Sequence, residues 1–308
     1  MLGLEKVLYD PPHQQPEPEG WFFRSLIALA AIIRSAGALI AMGTSGILLG
    51  LAFEPLGPFI PMPRKLGESM LQSIPDTIMA LGISWLLLHY AHQMRISVLG
   101  LNWNGAAVRE FLVATLAGAL ALALVVAPLL LGGFGQFVAS ESKIKSPLGL
   151  GLLLLLLALA AFSEELILRG YVFQTLVQPL HLLGALVMTS GAFAALHWAN
   201  QGANEYTIMN TFLAGCALGL VLAWRRSLWA AAGAHFGWNL ATILFGLNVS
   251  GIRVPVMPFQ VNWSVDALWT GGDYGPEGGL LCTGLLVLLL LGLIRLHYHR
   301  QDRESVTE

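Results

Sequence analysis

Hydrophobic positions along this chain come in long unbroken blocks rather than in alternation. A helix that crosses a bilayer needs about 20 mostly apolar residues, and eight blocks answer that description: 35–53, 74–92, 110–133, 148–177, 182–199, 208–224, 228–249 and 278–296. The pattern predicts an all-α, polytopic transmembrane bundle of about eight spans. Ahead of the first block, "WFFRSLIALAAIIR" is short and bounded by Arg24 and Arg34. It is expected either to lie in the membrane interface or to extend the first span. Residues 1–20 are polar and Pro-rich, with no apolar segment leading to a cleavage site, and read as a mobile tail rather than a signal peptide. With a second polar tail at 300–308, residues 21–299 form one transmembrane domain.

Connections between the blocks suggest an orientation. Lys and Arg accumulate in cytoplasmic loops, and placing the N-terminus inside puts ten of them on the inner side against five outside. Both termini are therefore expected in the cytoplasm, in an integral multi-pass protein of the plasma (inner) membrane. The connection 250–277, which carries Trp263 and Trp269, would then be external, as a substrate or partner surface or as an aromatic belt.

Composition agrees with the pattern. Hydrophobic residues make up 56% of the 308 and charged ones 11%, far from the roughly 25% charged of a soluble domain. A net charge of -2 without a basic tract argues against a nucleic-acid partner; the lipid bilayer is the expected surrounding. Cys216 and Cys282 fall in apolar runs as small hydrophobes. Two cysteines imply neither a disulfide framework nor a Cys-rich zinc site.

The chemistry lies in polar residues that oil should exclude. "EELILR" places Glu164, Glu165 and Arg169 inside the fourth block, where each charge costs at least ~2.5 kcal/mol at mid-membrane. Glu165 and Arg169, four apart, share a helical face, while Glu164 is displaced around the helix. Arg169 can neutralise Glu165 and leave Glu164 free as a base or ligand; an ion-paired brace is the plainer alternative. "FAALH" stacks Phe193 near His197, and "HFGWN" puts His235 and Asn239 on one face of the seventh block. Asp76, Asn210, Thr211, His89 and His92 lie near span ends and read as structural. "GALIAMGTSG" and "FLAGCALG" read as close helix packing.

A carboxylate and an imidazole converging on one water can deprotonate it for attack on a carbonyl carbon. A second His with an Asn one turn away supplies two donors for the oxyanion. Neither Ser163 nor Ser190 has a His at a spacing that suggests a nucleophilic dyad, so water is the expected nucleophile.

The three motifs, Glu-Glu-x-x-x-Arg, Phe-x-x-x-His and His-x-x-x-Asn, stand in this order, each in its own apolar block. In this the sequence resembles the CPBP family, the CAAX proteases and bacteriocin-processing enzymes also called the Abi family, which includes the Rce1-type endopeptidases. "GLVLAWRRSLWAAAGAHFGWN" is similar to the family's approach to its last motif, and the resemblance covers 148–246, the expected catalytic core. It implies a membrane-embedded peptide hydrolase in which Glu164 and His197 activate water, His235 and Asn239 stabilise the oxyanion, and Glu165 and Arg169 orient the site.

The resemblance leaves the cofactor open. Family members have been described both as metalloproteases and as metal-free, glutamate-dependent enzymes; no cofactor is the favoured reading here, with zinc held by Glu164, His197 and His235 as the alternative. The implied substrate is a peptide or membrane protein, prenylated or not, with CAAX-type C-terminal processing among the options. A proton-coupled transporter is the rival class, since intramembrane carboxylates and histidines also build proton relays. His197 falls near one end of its block while Glu164 and His235 fall nearer the middle of theirs. A shared site needs a protruding, late-starting or tilted helix.

Overall fold

The computed structural model describes residues 21–307, with side chains from 24 to 303; the expected tail at 1–20 lies outside the described residues. Among the described residues ten α-helices predominate: α1 (Trp21–Gly50), α2 (Arg64–Leu71), α3 (Ser73–Leu86), α4 (Gly105–Leu131), α5 (Pro147–Ile167), α6 (Phe173–Leu196), α7 (Glu205–Arg225), α8 (Leu228–Leu244), α9 (Ala267–Thr270) and α10 (Leu280–Thr307). The all-α polytopic membrane class holds. Trp21–Gly50 is continuous, so the segment of uncertain role extends the first span. α10 carries on through the polar residues 300–307.

Among the described residues six helical segments are long and apolar enough to cross a membrane, and the difference from eight has two physical sources. The fourth and fifth blocks lie in one segment, Pro147–Ala199, broken at His181 where the backbone turns to φ +58° and ψ 173°. Pro179, two residues upstream, has no N–H to give to the helix ladder and weakens it there. The seventh block forms α8, whose 17 residues are short for a span and whose polar residues face protein.

Helix starts follow local chemistry. Ser146 accepts the Gly149 N–H at 3.0 Å and Pro147 occupies the first helical position of α5, where its missing N–H is harmless. Asn204 caps α7 with a reciprocal bond to Thr207.

The third motif is seated by glycine. α8 lies directly against α4: a Cβ at Gly237 would come 1.9 Å from the Thr115 carbonyl oxygen, and one at Gly233 2.4 Å from that of Phe111. Backbone thus meets backbone, as in small-residue membrane interfaces, and this fixes the direction in which His235 and Asn239 point. α5 runs between α8 and α3, while α6 packs on α7 and α7 on α10.

Two short strands, which the hydrophobic pattern did not predict, tie the connections together. β1 (Gly135–Ala139) pairs antiparallel with β2 (Phe259–Trp263), Gly135 opposite Trp263 and Ala139 opposite Phe259. The long connection after α8 is thereby held back over the ends of the helices.

Candidate active site

Glu165 and Arg169 are both wholly buried, with Arg169 Nη1 donating to Glu165 Oε1 at 3.1 Å. The helix widens to a π-turn over Leu168–Val172, in which Gly170 leaves helical geometry (ψ -121°); such turns recur at functional sites. Arg169 also donates to the Gly215 carbonyl oxygen at 3.1 Å and lies over the Phe193 ring, 4.6 Å from its centre. A Cβ at Gly215 would sit 3.0 Å from the guanidinium. The small residues of "FLAGCALG" therefore make room for the arginine as well as for a neighbouring helix.

Glu165 does more than balance Arg169. His235 Nδ1 stands 3.0 Å from the same Oε1, and an ionised carboxylate only accepts, so Nδ1 carries the hydrogen. His235 Nε2 then faces Glu164 Oε2 at 3.8 Å, too far for a direct hydrogen bond. Glu164 differs from its neighbour in exposure: its side chain is 42% exposed, whereas Glu165 is wholly buried; Oε2 of each has no hydrogen-bond partner among the described residues.

His197 opens a 3₁₀ turn at the end of α6. Its Nδ1 lies 2.8 Å from the Phe193 carbonyl oxygen, which again assigns the hydrogen to Nδ1 and leaves the Nε2 lone pair free. The Phe193 ring contacts His197 edge to face at 4.5 Å and His235 at 6.0 Å between centres. Phe193 is therefore the hub on which both imidazoles and the guanidinium rest. Asn239 is half-buried one turn beyond His235, its amide without a hydrogen-bond partner among the described residues.

The structure thus bonds Glu165, Arg169 and His235 directly, sets Glu164 3.8 Å from His235, and links His197 through Phe193. His197 makes no ion pair with either glutamate among the described residues. Nor are three His, Cys, Asp or Glu side chains grouped there to hold a metal, so Glu164, His197 and His235 as they stand do not form a three-ligand set. The mismatch in depth between the motifs is bridged by Phe193, one turn before His197.

One carboxylate escaped the sequence reading. Glu277, between α9 and α10, accepts from the Ser250 N–H at 2.6 Å and hydroxyl at 2.7 Å, and from the Trp238 indole N–H at 3.1 Å. His197 and His235 are both within its electrostatic reach. Burial pushes its carboxyl above the ordinary range, opposed by the Ser250 donors and the two histidines. Asn210 anchors the same loop, donating to the carbonyl oxygens of Glu277 and Gly279 at 2.8 and 3.1 Å. Gly275, at φ +108°, allows the tight approach: a Cβ there would lie 2.0 Å from the Asn248 carbonyl oxygen. The Pro-Glu-Gly-Gly run resembles ordinary turn chemistry, which is why no signal marked it.

No curated protein matches the chain. Residues 146–241 match the model of a family described as type II CAAX prenyl endopeptidase Rce1-like. That segment holds Glu164, Glu165, Arg169, His197, His235 and Asn239 but neither α1–α4 nor the Glu277 loop. The six side chains thus lie in the segment, about a third of the chain, that is similar to this Rce1-like family.

Proposed function

We propose that this protein is a membrane-embedded endopeptidase that hydrolyses peptide bonds with a water activated by Glu164 and His197. The observation that carries the proposal is the contrast between adjacent carboxylates: Glu165 is wholly buried with its Oε1 held by Arg169 and His235, while Glu164 is 42% exposed and stands beside His235 without a hydrogen bond to it. Glu164, as general base, takes a proton from water held also by the free Nε2 of His197. The resulting hydroxide attacks the peptide carbonyl carbon. Asn239 donates to the oxyanion from its amide. His235 can add a second donor from Nε2 only as an imidazolium, because Nδ1–H is committed to Glu165, and its two carboxylate neighbours suit that charge. Glu164 then returns the proton to the leaving amine. Arg169 and Phe193 hold the ring positions throughout.

Substrate class follows the CAAX-type relatives: a peptide or membrane protein cut near its C-terminus, with a prenylated cysteine preceding the cut as the first candidate. Purified protein in detergent, offered matched quenched peptides with and without a farnesyl group, should cleave at least one and prefer the lipidated form. No cleavage of either by folded protein, with equal inactivity of Glu164→Gln, would count against an endopeptidase.

A further inference from the structure

The seam between α1 and α2–α3 is polar where a helix seam in a membrane is ordinarily apolar. Glu68, Gln72 and Asp76 follow one another at intervals of four, one turn apart on a single face, and all three are half-buried. Opposite each stands a glycine. A Cβ at Gly57 would lie 2.8 Å from Glu68 Cγ, one at Gly50 2.1 Å from Gln72 Oε1, and one at Gly46 2.4 Å from Asp76 Oδ1. Gln72 Nε2 donates to Asp76 Oδ1 at 2.8 Å and to the Gly46 carbonyl oxygen at 3.0 Å.

The two ends of this row are informative. Where α1 finishes, a cavity of about 370 Å³ is lined by Gly50, Glu54, Arg64, Glu68 and Gln72 among others, room for roughly ten waters at ~30 Å³ each. At the inner end, Asp76 is within electrostatic reach of Glu164, on a helix that packs against α5. Glycine facing apolar side chains would serve close packing as well and at less cost, since polar groups in a membrane interior are expensive. Packing accounts for the glycines but not for the polar residues.

We propose that this polar seam is the water inlet of the site, separate from the path of the peptide, and that Asp76 is the positioning residue that hands water to Glu164. The proposal rests on the reading of Glu164 as the base. Hydrolysis consumes one water per bond: its oxygen joins the new carboxylate, and both of its protons finish on the products, one of them carried by Glu164 to the leaving nitrogen. Nothing but water need travel through the inlet. A peptide lying across Glu164, His197 and Asn239 covers the other approach, so a supply from behind the base keeps the reaction running while substrate is bound.

The test uses full-length protein in lipid vesicles with Cys216 and Cys282 replaced by Ala and Gln72→Cys added. A charged, membrane-impermeant methanethiosulfonate should modify this variant, and the adduct should lower kcat on a quenched peptide at least tenfold with KM unchanged. Asp76→Leu should lower kcat similarly, and Asp76→Asn, which still binds water, should recover most of it. An unreactive Gln72→Cys, an adduct without effect on kcat, or Asp76→Asn as impaired as Asp76→Leu would overturn the inlet. The thiol reaction needs no peptidase activity and modifies an already folded protein. Full turnover in Glu164→Gln would instead refute the base and leave the thiol result standing as a statement about water access.

Discussion

Two neighbouring residues on α5 define opposite regions of the site. The Glu165 side is closed: guanidinium and imidazole both bond to one oxygen of the carboxylate, with Arg169 held further by the Gly215 carbonyl and the Phe193 ring. On the Glu164 side the carboxylate is partly exposed and lies 3.8 Å from His235. A helical offset of one residue, about 100°, separates a lock from a tool. Charge in a low-dielectric interior is tolerated when it is paired, as Glu165 is by Arg169 at 3.1 Å, and the partly exposed Glu164 is the one of the two that a substrate or water can reach.

The sharpest break of this comparison is at Glu164 itself. Glu164→Gln keeps shape and removes the base, so turnover should fall by ~10²–10⁴-fold while the melting temperature stays within a degree or two. Activity and thermal unfolding measured on the same preparation decide it; retained turnover would sink the assignment.

On the closed side the effect should appear in stability first. Glu165→Gln or Arg169→Ala leaves its partner charged and buried, which typically costs about 3–5 kcal/mol, and either change also loosens His235. The double variant should regain part of the stability without regaining activity. Equal melting of parent and both single variants would mean that the pair is not a lock.

Asn239→Ala tests the open side once more. Loss of one oxyanion donor should lower kcat by ~10² or more with little change in KM. A packing asparagine would instead shift melting and leave kcat near the parent. Chelator treatment of the same samples, with elemental analysis, addresses metal: unchanged turnover and no stoichiometric zinc are expected.

Much of this division was legible in the sequence, because helical periodicity alone separates Glu164 from the Glu165–Arg169 face. Motif order and apolar flanks likewise identified the helices that meet. What periodicity could not convey was tertiary: that Glu165 also holds His235, that Phe193 links the two histidines, and that Gly215 seats Arg169. Each depends on which helices touch, and blocks of Leu and Ala read alike whatever they face. Asp76 and Gln72 were hidden by the same ambiguity, since a polar residue near a span end is inexpensive and usually means nothing. Glu277 lay in a loop, where no period exists to mark a buried side chain.

Glu277 gives the smallest expected effect and the finest resolution of the comparison, because it touches the open side from outside the family-matched region. Its carboxylate holds the Trp238 indole, on the turn between His235 and Asn239, and Ser250 across the connection. Glu277→Gln cannot satisfy all three donors at once, so about 1–3 kcal/mol of stability should be lost, with a fall in kcat of less than tenfold. The pH dependence carries the sign. Burial raises this carboxyl above its ordinary value of 4.5 in the folded protein, so the folded chain binds the proton more tightly than the unfolded chain does. Stability contributed by that proton is therefore full below the ordinary value and declines as pH rises through the folded one. Glu277→Gln has no such proton to lose, and its melting temperature should vary less than the parent's with pH from about 4.5 upward. Melting curves of both proteins across that range, with identical slopes, would show that Glu277 is not the buried acid described here.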